Sequence, residues 1–104
     1  MPLFLQTSKH NPESCPFHNE TVKKATADLM AKWDVLGKKY NVKTVGMWVS
    51  EPEHFLVAVY DAPNWEVLVK MSMEPELMTW SGYNITETRQ VFTAEEIMKM
   101  MMKK

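Results

Sequence analysis

An α+β fold with the element order β-α-β-β-α-β, followed by one more helix, is predicted by three features of the sequence. A long apolar stripe at helical spacing runs from Pro16 or Phe17 to Lys39. Two apolar, β-branched runs flank the turn Glu51-Pro52-Glu53. A third such run, Asn84–Phe92, leads into a helix-capping motif. The chain has 104 residues, enough for a single domain over 1–104.

The first apolar run, Pro2–Ser8 (PLFLQTS), reads as a strand, and Lys9–Pro16 (KHNPESCP) as a loop punctuated by two prolines. In the long helix, Val22, Ala25, Leu29, Trp33, Leu36 and Tyr40 recur at intervals of 3, 4, 4, 3 and 4. That is one face of a 3.6-residue period. Ser14 is the expected cap, and Pro16 suits a first turn, where its missing N–H is not needed. Lys43–Ser50 and His54–Tyr60 form an expected antiparallel hairpin. Asp61 is the expected cap of a second helix, with Trp65, Leu68, Val69 and Ser72 on its buried face. Pro75 is expected to end that helix and Glu76–Tyr83 to be a connection. Thr93-Ala-Glu-Glu96 is a capping box that opens the C-terminal helix.

This order is the ferredoxin-like pattern: a four-stranded antiparallel sheet with both main helices on one face. The hairpin is apolar on both faces, so both faces need cover. One helical layer covers one of them. A symmetric homodimer is the simplest cover for the other.

The stretches Val42–Pro52 (VKTVGMWVSEP) and Glu74–Thr93 (EPELMTWSGYNITETRQVFT), with the tail Ala94–Met101, resemble the dimeric α/β-barrel superfamily. That superfamily includes muconolactone isomerases and small antibiotic-biosynthesis-type monooxygenases. The resemblance is strongest to small uncharacterised archaeal and bacterial members. It implies a dimer and a ligand cleft between sheet and helices. It implies no single reaction, because the superfold hosts isomerases, oxygenases and non-catalytic binders.

Composition narrows the function classes. Twelve basic against thirteen acidic side chains give a net charge of -1, with no basic stripe for nucleic acid. One cysteine excludes an intrachain disulfide. The first residues lack the pattern of a signal peptide, and no apolar run reaches the ~18–20 residues of a membrane span, so a cytoplasmic protein is expected. There is no Gly-rich phosphate loop, no paired C-x2-C, no H-E-x-x-H and no G-x-S-x-G.

The segment from His10 to His18 (HNPESCPFH) carries the most chemistry. Cys15 and His18 lie three apart at the expected helix start, so they share a face turned towards the sheet. His10 leaves the first strand nearby. A thiolate with two imidazoles suits zinc, nickel or copper, and Glu13 or His54 is available as a further ligand. The competing reading is a buried cysteine packing as a small hydrophobe; a third is a redox thiol at a helix N-terminus. The cleft candidates are His10, His18, Trp65, Trp80, Glu87 and Arg89. Glu87 and Arg89 share a strand face with Ile85 and Val91, either lining a pocket or forming a rim salt bridge. The Met-rich tail, Met98 to Met102, suits a subunit contact.

The expected function is therefore that of a small homodimeric protein binding a small ligand or a transition metal near the first strand–helix loop. The alternative is a cofactor-free monooxygenase or isomerase acting in the cleft, with His10, His18, Glu87 and Arg89 moving protons and polarising substrate.

Overall fold

The computed structural model describes residues 2–103. Its elements are β1 (Leu3–Lys9), α1 (Glu20–Tyr40), β2 (Lys43–Ser50), β3 (Phe55–Asp61), α2 (Trp65–Ser72), α3 (Pro75–Ser81), β4 (Ile85–Val91) and α4 (Ala94–Met102). The four strands form one sheet in the order β2-β3-β1-β4, and each neighbouring pair is antiparallel. This is the ferredoxin-like topology that the element order predicts. No helix among the described residues is long and apolar enough to cross a membrane.

Strand register assigns the two sheet faces. Phe4 pairs with Tyr60, Gln6 with Ala58 and Met47 with Ala58. Phe4, Ala58 and Tyr60 are buried and join Leu29 and Leu36 of α1 and Met71 of α2 in the core. On the opposite face Leu5 pairs with Val59 and Arg89, and Trp48 with Val57. Trp48 is 59% exposed there. The expected two-sided apolar hairpin is therefore present, and the described chain covers only one side. A bulge at Val45, between Thr44 and Gly46, interrupts the β2–β3 register. It keeps Thr44, three residues before Met47, on the helix side, where Thr44 accepts a 2.9 Å hydrogen bond from Trp33 Nε1.

The helical stripe of α1 holds: Val22, Ala25, Leu29 and Leu36 are buried, with Trp33 and Tyr40 packed against the core. The helix begins later than expected. Asn19, not Ser14, is its cap, accepting from Val22 N–H at 3.1 Å. Ser14 instead closes a short 3-10 turn, Pro12–Ser14, capped by Asn11. Asn19 also donates from Nδ2 to the Glu13 carbonyl at 3.1 Å, so one side chain ties the loop to the helix. Asn19→Ala is expected to cost about 1 kcal/mol, the usual worth of a cap, as read by urea denaturation. A loss below ~0.3 kcal/mol would show that the cap carries no weight.

The second helical region also differs from the expectation. Asn64, not Asp61, caps α2, because Asp61 is still in β3. Met71 is the buried residue of α2, with Val67 and Leu68 packed beside it, while Trp65 and Val69 are substantially exposed. Pro75 does not end a helix but starts α3 at its first turn, so Glu76–Ser81 is helical rather than a connection. The capping box at Thr93 and Glu96 is present on both sides, with bonds of 3.0 and 3.1 Å. α4 buries none of its residues, and Met98, Met100, Met101 and Met102 are exposed.

Polar contacts fasten α3 to α1. Tyr40 Oη donates to Glu74 Oε2 at 2.5 Å, and Lys39 Nζ lies 3.0 Å from the same oxygen. The Tyr40 bond, then that of Lys39, holds the Glu74 carboxyl below its ordinary range. A depressed carboxylate stabilises the fold above its unfolded pKa, and that contribution is lost as pH falls through the folded value. Glu74→Gln is therefore expected to destabilise the chain near neutrality and to match the parent in acid. A stability difference that persists unchanged at low pH would show that the ionised group is not the source.

Candidate metal centre

The fold brings three segments together at one end of the sheet. β1 runs antiparallel to β3, and Lys9 pairs with Phe55. The residues just beyond that pair, His10 and His54, therefore lie opposite each other. His10 N–H donates to the His54 carbonyl at 3.2 Å, and the two rings meet edge to face with centroids 5.1 Å apart. Cys15 follows the Pro12–Ser14 turn and is fully buried. One ring nitrogen of each histidine and Cys15 Sγ lie within 4.8 Å of one another.

Glu51 stands beside this group. It begins the 3-10 turn Glu51–Glu53, with Pro52 in its first turn. Its Oε1 accepts from Cys15 Sγ at 3.2 Å and lies 3.9 Å from His54 Nδ1. His54 closes that turn in the left-handed region, with φ 52. Only a few per cent of non-glycine residues adopt this conformation, and it is a mark of sites under constraint.

His10 Nε2 and His54 Nδ1 are buried and have no hydrogen-bond partner. Buried polar atoms are nearly always satisfied, so two orphaned imidazole nitrogens in contacting rings point to a missing third party. Cys15 favours its protonated thiol. Burial pushes its thiol pKa up, and the hydrogen bond and charge of Glu51 push the same way. The backbone N–H groups of Phe17 and His18 act in the opposite sense and favour thiolate. A cation among these donors would reverse that preference by displacing the thiol proton. The residues therefore fit a tetrahedral cation of the zinc type: two nitrogens, one sulfur and one nearby carboxylate oxygen.

Three of the sequence candidates belong to this end of the fold, but not as expected. His10 and Cys15 are here. His18 is exposed on the turn before α1, because the helix starts at Glu20 and Cys15 and His18 do not share a helical face. Glu13 is exposed. His54 takes the second imidazole position, and Glu51, not among the sequence candidates, joins it. The β-α-β-β order contained the signal, since it pairs the first strand with the third and sets their ends side by side.

The other candidates lie elsewhere. Glu87 and Arg89 form a 3.3 Å ion pair, 66% and 63% exposed, on the sheet face away from the helices. Their expected place in the cleft is corrected accordingly: in the chain they form an exposed ion pair on the outer sheet face. Trp65 lines a cavity of about 140 Å³ between sheet and helices, with Gln6, Tyr60 and Trp33. Tyr60 Oη donates to Gln6 Oε1 at 2.9 Å, and burial pushes its pKa up. Trp80 lines a smaller neighbouring cavity and the pocket that adjoins His10.

No family model matches this chain, and no curated protein does. The fold has solved counterparts. Protein Atu4242 from Agrobacterium tumefaciens superposes with a TM-score of 0.59 at 15% identity, over 90% of this chain and 94% of that one. An uncharacterized NIPSNAP domain protein from Burkholderia xenovorans gives 0.56 at 10% identity, over 90% and 95%. The likeness is one of fold. It extends along nearly the whole of each chain, so the ferredoxin-like α+β architecture is shared, including with a NIPSNAP domain. At such identities no residue's role is carried across.

Proposed function

We propose that this chain is a small metal-binding protein, holding zinc through His10, Cys15 and His54, with Glu51 supplying a fourth donor. The observation that carries the reading is the pair of buried nitrogens without a hydrogen-bond partner, His10 Nε2 and His54 Nδ1, in the cluster that includes Cys15. Mixed nitrogen and sulfur donors select zinc over the hard cations, and copper or nickel are the competitors. The metal fastens the end of β1, the loop before α1 and the β2–β3 turn to one another.

Metal content of the untagged protein tests this. One zinc per chain is expected, lost in Cys15→Ser and in His54→Asn, and retained in His18→Ala. Asparagine is chosen at position 54 because it tolerates the left-handed backbone there. A metal-free protein that takes up no added zinc would overturn the reading, as would equal zinc in all the variants.

We further propose a homodimer formed through the open sheet face. Support comes from Leu5, Val57, Val59 and the exposed Trp48 on that face, and from the exposed methionines of α4. Exposed apolar patches of this kind mark association surfaces. Light scattering is expected to give twice the chain mass, and Trp48→Glu to shift it towards the monomer. A stable monomer at micromolar concentration would sink the proposal.

A further inference from the structure

A pocket adjoins the candidate metal centre on one side. His10 and Glu51 also line a pocket of about 300 Å³, whereas Cys15 and His54 do not. Val22, Val49, Leu56 and Trp80 supply much of the remaining wall, and no lysine or arginine lines it. The volume is at the small end for ligand sites, roughly 300 Å³ upward. Structural zinc sites are closed by four protein ligands, whereas sites that exchange a ligand keep one position for it. Here three donors converge, and Glu51, with a side chain 43% exposed, both touches Cys15 and lines the pocket.

We propose that this pocket takes a small monocarboxylic acid with an apolar body, whose carboxylate replaces that of Glu51 on the metal. The inference rests on the metal reading above. Charge and shape both support it. A divalent ion with one thiolate and two neutral imidazoles carries one net positive charge, which a single carboxylate neutralises. Glu51 already offers that group from the pocket side, so an incoming carboxylate meets a position suited to it. With no basic side chain in the wall, the metal fixes the acid's head, and Val22, Leu56 and Trp80 take its body. No bond is made or broken beyond the exchange of one oxygen donor for another.

The test uses the full chain loaded with cobalt(II) in place of zinc. Cobalt gives a thiolate charge-transfer band, which reports Cys15, and d–d bands, which report a change of ligand. Benzoate is expected to shift the d–d bands at a concentration at least tenfold below that needed for acetate, which lacks the apolar body. Val49→Trp fills the pocket from an exposed edge-strand position. It is expected to raise the half-saturating benzoate concentration at least tenfold with the charge-transfer band unchanged. Benzoate without effect on an intact cobalt spectrum, or acting at the same concentration as acetate, would overturn the pocket inference and leave the metal reading standing. Absence of the thiolate band would overturn both.

Discussion

Zinc at one hundred times its dissociation constant is expected to raise the thermal unfolding midpoint by roughly 10–20 °C. Binding to the native state alone is worth about 2.7 kcal/mol at that excess. A domain of about this size gains ~4–8 °C for each kcal/mol. The donors come from positions 10, 15 and 54, with Glu51 beside them, so the unfolded chain does not present them together. Cys15→Ser is expected to abolish the shift. The effect also has a pH sign. Because the Cys15 thiol is held above its ordinary pKa, chiefly by burial, a proton must leave before the metal binds, and zinc stabilisation grows as pH rises. Without metal the sign reverses. A raised thiol pKa favours the fold fully below the ordinary thiol value, and that contribution is lost as pH climbs through the folded one. Titration of the metal-free protein above the ordinary thiol range reads the reversed sign, and differential scanning fluorimetry at pH 6 and pH 8, with and without zinc, reads the rest. A midpoint that zinc leaves unmoved at both values would remove the centre.

Phe4→Ala is expected to cost about 3–5 kcal/mol, the second large effect. Phe4 is 2% exposed at the middle of the core. Its ring lies 6.1 Å from that of Trp65, centroid to centroid, and its strand pairs with β3 and β4 on either side. Truncation removes the ring's burial and leaves a cavity that two flanking strands prevent from closing. Against a total stability of roughly 5–15 kcal/mol, this brings the chain close to unfolding. Urea titration of the purified variant reads the loss, and a change below ~1 kcal/mol would show that the core repacks around position 4.

Much of the fold was legible because its signals are periodic. The α1 stripe and the two-sided apolar hairpin depend on spacing alone, and both hold in the structure. Punctuation was less reliable. Pro75 serves either to stop one helix or to start the next, and only the packing of α3 against α1 decides between them. Asn19 and Ser14 are equally good caps, and the turn at Pro12–Ser14 takes up the residues that were assigned to a longer helix. The metal candidates show the same division. His10 and Cys15 were visible as chemistry-bearing residues within one short segment. His54 was visible only as a spare ligand, because its nearness to His10 comes from strand pairing across more than forty positions. Glu51 has the sequence signature of a turn residue and forms a turn; its contact with Cys15 comes from where that turn is placed.

The strand order has a consequence for how the chain acquires its structure. β1 is flanked on both sides, by β3 and by β4, and both partners come later in the sequence. The hydrogen bond from Gln6 Nε2 to Thr88 Oγ1 spans 82 positions. Little of the β1 pairing is local, so loop closure must be met before the central strand gains any ladder bond. During synthesis at about 5–20 residues per second, Leu3–Lys9 would wait several seconds for Ile85–Val91 to appear. Until Phe55–Asp61 has emerged, the segment that ends at His10 has neither of its strand partners. The β2–β3 hairpin, whose strands are adjacent in the chain, is the first surface on which it can settle.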